Sequence, residues 1–325
     1  MSTEPDGARP AMPPRVMLAV KPAIQEEWRA ALAAASDRAG VPIDLGLPGD
    51  AEPEAVRYLV YGAAGRLDDL TPFTGLKLVQ CIWAGVEKVL ANPTLPDFAP
   101  LARMVEPGLT EGMTDYVVTH VMRLHMDLDR RLAGPEDRWM DWFPPLSRNR
   151  RVGVLGLGEL GRDAARALAA LRFDVAGWSR SPKSVEGVRC LHGDDGLDAL
   201  LRRSEILVGL LPSTPATENL LDAAALAKLP RGAMIVNAGR GELIDDAALL
   251  SALDAGHVAQ ATLDVFREEP LPAGHSYRTH PRVTVTPHVA SATRPETAAE
   301  TVIAQIARME AGEAPLHVVD RTRGY

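Results

Sequence analysis

Between Arg151 and Arg180 the chain reads RVGVLGLGELGRDAARALAALRFDVAGWSR. Val152 to Leu155 is a short apolar run suited to a buried parallel strand. Gly156, Gly158 and Gly161 then supply G-x-G-x-x-G, and Leu160, Ala164, Ala165, Leu168 and Leu171 follow at helical spacing. Val175 to Trp178 is a second apolar strand. Strand, glycine turn, helix and strand in about thirty residues form a dinucleotide-binding unit. Each glycine has a mechanical task. Gly156 allows a tight turn, Gly158 lets the backbone approach a pyrophosphate, and Gly161 lets the helix pack close to the strand. The helix N-terminus offers N–H groups to phosphate oxygens.

The chain on either side is compatible with a fold built on this unit. Val16 to Val20, Tyr58 to Tyr61, Leu78 to Trp83 and Leu101 to Val105 read as strands. Gln25 to Ala39 reads as a helix with Gly40 as its stop. After the glycine unit come apolar runs at Ile206 to Leu211, Met234 to Asn237, Ala261 to Val265 and Val283 to Thr286. Strands alternating with helices predict an α/β fold of parallel sheets with helices on both faces. The chain has 325 residues, enough for about two domains. Pro107-Gly108 punctuates it. Met113, Val117, Val121, Leu124, Leu128 and Leu132 then predict one long amphipathic helix ending near Gly134-Pro135. Trp139, Trp142 and Phe143 follow outside any periodic pattern, as packing within one subunit or as an interface anchor.

Composition narrows the function classes. A net charge of −8 argues against a nucleic-acid binder needing a basic face. No apolar run approaches the roughly 18 residues of a membrane span. Residues 1–13 lack an apolar signal core and read as a disordered tail. The two cysteines, Cys81 and Cys190, lack metal-ligand spacing and read as buried thiols in a reducing compartment. The expectation is a cytoplasmic protein with no metal and no membrane or nucleic-acid partner.

Ligands of such sheets bind beyond the carboxyl ends of the strands. Arg240 in N-A-G-R-G, Glu269 in D-V-F-R-E-E-P and His288 in T-P-H each lie just past a predicted strand. A guanidinium binds a carboxylate bidentately. An imidazole donates a proton near neutral pH. A neighbouring carboxylate fixes its tautomer and favours the protonated form. These are the functions a 2-oxo acid needs while hydride arrives from a nicotinamide. Singly, Glu269 reads equally as a surface carboxylate beside Glu268, His288 as a loop histidine and Arg240 as an ion-pair partner. The other seven histidines carry no comparable context.

At the end of the second strand of the glycine unit, NAD enzymes place Asp or Glu on the ribose 2′-hydroxyl. Here Ser179 stands there, followed by Arg180, Ser181 and Lys183. A hydroxyl and two cations suit a 2′-phosphate, so NADP is expected over NAD.

The motifs G-L-G-E-L-G, L-P-S-T-P-A-T, N-A-G-R-G, L-D-V-F-R-E-E-P, T-P-H-V-A-S-A-T-R-P and V-D-R-T-R-G-Y occur in this order. In that combination the chain resembles the D-2-hydroxyacid dehydrogenases, and within them the A-type glyoxylate/hydroxypyruvate reductases. The resemblance implies a flavodoxin-like substrate domain (14–108 with 290–325) and a Rossmann cofactor domain (109–289) carrying a dimerisation helix, in a homodimer. It implies that His288 is the general acid, that Glu269 hydrogen-bonds it, and that Arg240 binds the substrate. Ala84 and Gly85 in I-W-A-G-V-E would bind the substrate carboxylate, with Trp83 as a pocket wall. Glu87 stands where the family often has Asp. Cofactor contacts would come from Gly156, Leu157, Gly158, Glu159, Leu160 and Gly161, from Leu211, Pro212, Ser213 and Thr217, and from Ala238. Asp264 would face the nicotinamide. The alternatives are a dehydrogenase for a bulkier 2-oxo acid, a formate dehydrogenase (disfavoured by Glu269 in place of Gln), and a nucleotide-sensing corepressor-like binding protein.

Overall fold

The computed structural model describes residues 12–63, 65, 67–132 and 143–325. They fall into two units, one of the residues up to Glu106 with Thr293–Tyr325, the other Pro107–Ala292.

In the first unit the strands are β1 (Arg15–Ala19), β2 (Asp44–Gly46), β3 (Tyr58–Tyr61), β4 (Leu78–Cys81) and β5 (Leu101–Ala102). Their order is β2-β1-β3-β4-β5, and every pair is parallel. This is the flavodoxin order 2-1-3-4-5. Along β1, Val16 and Leu18 enter one core with Trp28, Leu32, Ile303 and Ile306, while Met17 and Ala19 enter the other with Tyr61, Leu70 and Val89. Side chains alternate faces at a period of two, and both faces are covered, so the strand reads as a continuous apolar run. The helix Pro22–Ala39 stops at Gly40, whose φ of 63° is left-handed and whose N–H reaches back to Asp37. Glycine adopts that conformation without a Cβ penalty.

In the second unit the strands are β6 (Arg151–Leu155), β7 (Asp174–Ser179), β8 (Arg189–His192), β9 (Ile206–Gly209), β10 (Ala233–Asn237), β11 (Val258–Leu263) and β12 (Val283–Val285). The order is β12-β11-β10-β9-β6-β7-β8, again all parallel. Counted from β6 this is the dinucleotide-binding order 3-2-1-4-5-6 with one further strand. The order reverses between β6 and β9, so the crevice beyond their carboxyl ends is the topological switch point. Leu155 on β6, Ile206 and Val208 on β9, and Leu168 on the helix after β6 are fully buried. Each such side chain contributes about 1.5–3 kcal/mol relative to exposure.

Two expectations need correction. The long helix is broken: Pro107–His125 ends, and Leu128–Leu132 begins a new short helix. Asp127 between them has a φ of 48°, which no α-helix passes through. Apolar spacing runs on through Leu124, Leu128 and Leu132, so periodicity alone did not disclose the break. Pro107, read as punctuation, is the helix's first residue, where its missing N–H costs nothing. The sequence reading also passed over β2 and β8, short edge strands with little apolar content. The stretch around Gly134-Pro135, Trp139 and Trp142 lies outside the described residues, whereas Phe143 is described and is 81% exposed.

Candidate active site

The glycine turn is built as three different contacts. Gly156 has a φ of 104°, and a Cβ there would come 2.8 Å from the Leu210 carbonyl oxygen. At Gly161 a Cβ would stand 1.8 Å from the Gly156 carbonyl oxygen, so the helix Glu159–Ala170 packs against the turn with no room for a methyl group. At Gly158 a Cβ would meet nothing within 4 Å. The first two glycines are demanded by the protein's own packing. The third borders open space at a helix N-terminus, which is where a pyrophosphate needs clearance. The residues present therefore fit a dinucleotide.

The side chains around that turn differ in what they can offer. Leu157 points into the core, where its methyls fill the space left by Gly177. It has only its backbone to give. Leu160 packs half-buried on the same core, and Glu159 is engaged by Arg162 one turn on. Leu211 and Ala238 are buried. Pro212 and Ser213 are half-buried at the end of β9. Thr217 turns its hydroxyl inward, donating to the Pro212 carbonyl at 2.6 Å and accepting the Thr214 N–H at 2.9 Å. It closes this loop.

At the end of β7, Ser179 is 9% exposed and its hydroxyl donates to the Ser181 carbonyl at 2.8 Å. That proton holds the turn. Arg180, Ser181 and Lys183 are exposed on the turn that Ser179 shapes.

Arg240, Glu269 and His288 follow β10, β11 and β12, three adjacent parallel strands, at their carboxyl edge. Gly239 and Gly241 flank Arg240 because the segment is wedged tightly. A Cβ on Gly241 would lie 2.1 Å from the Phe266 carbonyl carbon, and one on Gly239 would lie 2.8 Å from the Leu211 oxygen. Asn237, 1% exposed and read from the sequence only as a strand's last residue, fastens this turn. Its amide donates to the Arg240 carbonyl at 2.9 Å and accepts the Gly239 N–H at 3.2 Å. The guanidinium is half-buried and donates to the Gly239 carbonyl at 2.7 Å.

Glu269 and His288 meet directly. Glu269 Oε2 lies 2.7 Å from His288 Nδ1, and Glu269 Oε1 accepts the Phe266 N–H at 2.9 Å. With Nδ1 held by the carboxylate, Nε2 is the imidazole nitrogen left to face a substrate. The His288 side chain is 49% exposed. Its backbone φ of 54° is left-handed, and its N–H is held by the carbonyls of Asp264 at 2.9 Å and Thr286 at 3.1 Å.

Asp264 follows β11 and is enclosed by the protein. It is 0% exposed, and both carboxylate oxygens are taken up inside the protein. Oδ1 accepts from the Thr286 hydroxyl at 2.6 Å and the Val289 N–H at 2.9 Å, and Oδ2 accepts the Ala290 N–H at 2.8 Å. It grips the histidine loop. Position at a strand end suggested a ligand contact; the donors that bury it come from more than twenty residues downstream.

In the first unit, Trp83, Ala84 and Gly85 follow β4. The Ile82 carbonyl accepts from the Thr293 hydroxyl at 2.7 Å, and the Trp83 carbonyl accepts the Met104 N–H at 2.9 Å. Cys81 lies beneath, accepting the Trp83 N–H at 3.4 Å, and its thiol is pushed up to about 12 by burial. The indole of Trp83 reaches across Gly62, where a Cβ would come 3.6 Å from the ring. Among the described residues the N–H groups of Ala84 and Gly85 have no partner. Cys190, expected buried, is half-exposed.

No helix among the described residues is long and apolar enough to cross a membrane. Nor do the described residues contain a group of three or more His, Cys, Asp or Glu able to hold a metal ion.

Residues 117–290 match the family model for the NAD-binding domain of D-isomer specific 2-hydroxyacid dehydrogenases. A glyoxylate/hydroxypyruvate reductase A of Serratia proteamaculans is 38% identical over 306 residues, 92% of this chain and 96% of that protein. One of Yersinia enterocolitica is 41% identical over 256 residues, 77% of this chain and 82% of that protein. Among solved structures, a D-isomer specific 2-hydroxyacid dehydrogenase of Xanthobacter autotrophicus, in complex with NADPH and MES, superposes with a TM-score of 0.89. It is 42% identical, over 96% of this chain and 100% of that one. The NADPH-dependent glyoxylate/hydroxypyruvate reductase of Sinorhizobium meliloti, in complex with NADP and sulfate, gives 0.85 at 38% identity, over 96% of this chain and 99% of that one.

Proposed function

We propose that this chain, which belongs to the D-isomer specific 2-hydroxyacid dehydrogenase family, reduces glyoxylate, hydroxypyruvate or a related small 2-oxo acid with NADPH. The observation that carries the reading is the 2.7 Å pairing of His288 with Glu269 at the carboxyl edge of a sheet whose glycine turn fits a dinucleotide. The bound cofactor supplies hydride to the carbonyl carbon. His288 gives its Nε2 proton to the carbonyl oxygen, so that C=O becomes CH–OH. Glu269 fixes the imidazole with Nδ1 inward and stabilises its charge while the proton is held. Arg240 binds the substrate's carboxylate, whose planar geometry its guanidinium matches. The family resemblance also gives Trp83, Ala84 and Gly85 of the first unit a part in substrate binding.

NADPH is preferred because the turn after β7 carries Arg180 and Lys183 and no carboxylate to repel a 2′-phosphate. The relatives solved with NADPH and NADP support the same choice. NADH is the weaker cofactor. The protein works as a homodimer in the cytoplasm. An apolar groove of about 450 Å³ lined by Val118, Met122, Met126 and Leu128 supports the dimer, as does Leu132, 78% exposed. Sedimentation should show twice the chain mass at micromolar concentration; a monomer refutes that part.

The deciding experiment follows NADPH absorbance with a panel of 2-oxo acids from glyoxylate and hydroxypyruvate to branched and aromatic ones. Small acids should give the highest kcat/KM. Lack of turnover with every member refutes the reading.

A further inference from the structure

Tyr116, Thr286 and Asp264 form a file of hydrogen bonds that the reaction above leaves unused. The Tyr116 hydroxyl lies 2.7 Å from Thr286 Oγ1, and Thr286 Oγ1 donates to Asp264 Oδ1 at 2.6 Å. A threonine hydroxyl has one proton, and here it goes to the carboxylate. The phenol is therefore the donor to Thr286. Burial pushes the Tyr116 hydroxyl up to about 12, so it keeps its proton at any working pH.

The far end of the file is the histidine loop. Asp264 holds Thr286 on one side of His288 and the N–H groups of Val289 and Ala290 on the other, and its own carbonyl accepts the His288 N–H. His288 sits in a left-handed conformation that a residue with a Cβ does not choose unaided. The same helix, Pro107–His125, also reaches β12 through Arg123, whose Nη2 donates to Thr284 Oγ1 at 2.7 Å. Arg123 is itself fixed by Asp129 at 2.6 and 2.8 Å.

We propose that Tyr116 is a positioning residue for His288, acting from the helix through Thr286 and Asp264 on the loop that presents the imidazole. The inference rests on His288 being the acid in the proposed reduction. Tyr116 donates inward to Thr286 and touches no reacting atom. Its effect is to keep the loop in the one conformation that aims Nε2 outward while Glu269 holds Nδ1.

The test compares Tyr116→Phe, Thr286→Val, the double variant and Thr286→Ser with the wild type, using NADPH and glyoxylate. Tyr116→Phe keeps the ring and removes one neutral hydrogen bond, so kcat should fall about fivefold. Thr286→Val also deprives the carboxylate of a charge-assisted donor, and should lower kcat by about tenfold or more. Tyr116 acts only through Thr286, so the double variant should match Thr286→Val within about twofold. KM for glyoxylate and the NADPH Kd should stay near wild type. The solvent deuterium isotope effect on kcat should rise, because proton transfer is the step that suffers. Thr286→Ser should restore the rate. An unchanged kcat and isotope effect in folded Tyr116→Phe overturns the proposal, as do independent, multiplying losses in the double variant. A readout that needs no turnover is the imidazole 15N spectrum of His288. Displaced signals in Tyr116→Phe support the relay and unmoved signals overturn it, even if the wild type reduces no 2-oxo acid and the proposed reaction falls on its own.

Discussion

The glycine turn makes opposite forecasts for the same substitution three residues apart. Gly158→Ala places a methyl group where nothing of the protein lies within 4 Å, on a backbone whose φ of −73° alanine accepts. Its stability cost is the poorer helix cap, about 0.5–1 kcal/mol. For a protein of this size that lowers Tm by only a few degrees, about 2–4 °C. The methyl group occupies the clearance meant for a pyrophosphate. Displacing that group should lose one or two charge-assisted hydrogen bonds of about 1.5–3 kcal/mol each, so NADPH binding should weaken about tenfold to a few hundredfold. Gly161→Ala drives a methyl group to 1.8 Å from the Gly156 carbonyl oxygen, and backbone cannot step aside as a side chain can. Overpacking of this kind costs about 1–3 kcal/mol or more, and the helix must shift to relieve it. Gly161→Ala should therefore lose Tm and affinity together. Thermal unfolding without cofactor, paired with fluorescence titration of NADPH, separates the two variants. Wild-type affinity in Gly158→Ala would show that no phosphate passes over that position. A native Tm in Gly161→Ala would show that the helix does not pack as described.

Three further outcomes follow from the site and its surroundings. His288→Ala should lower kcat about 10²–10⁴-fold while NADPH binding persists; near-normal turnover in that variant would remove the acid assignment. Arg180→Ala should reduce kcat/KM with NADPH about tenfold or more and leave NADH nearly unaffected, and Ser179→Asp should repel NADPH further. Equal losses with both cofactors would show that this turn does not read the phosphate. His120 is held below the ordinary imidazole range by burial and by Arg123, and His125 by burial and by Arg150. As pH falls below about 6.5 the unfolded chain protonates these residues first, so stability present above that pH is lost as pH falls through their lowered folded values. Denaturant unfolding at pH 7.5 and 5.5 should show this loss, and His120→Asn/His125→Asn should show less of it; an equal loss in the variant refutes the assignment.

What the sequence disclosed about this chain follows from how far apart the determining residues lie. The glycine turn, its strand and its helix are contiguous, so spacing alone revealed them. Arg240, Glu269 and His288 were visible because strand ends in a parallel sheet share an edge, and topology then places them together without any knowledge of contacts. Asn237 lay hidden although it is three residues from Arg240, because a buried amide at the end of an apolar strand reads as the strand's last residue. Tyr116 was hidden by distance, with 170 residues between it and Thr286 and a helical spacing that any half-buried aromatic satisfies. Asp264 is the instructive case. Its position past a strand made it look like a ligand contact, and the chemistry of a carboxylate seemed to agree. Thr286, Val289 and Ala290 supply three donors to it from far downstream, an anchoring role that position alone did not reveal. The consequence is that His288 is set by one short segment, Thr286–Ala290, in which the Thr286 hydroxyl before it and the Val289 and Ala290 N–H groups after it are bonded to Asp264. Substitutions of Asp264 should then act as substitutions of the histidine's geometry. Asp264→Asn keeps the shape but turns an NH2 group toward either the Ala290 N–H or the pair formed by the Val289 N–H and the Thr286 hydroxyl, and at least one N–H bond must be lost whichever way the amide is turned.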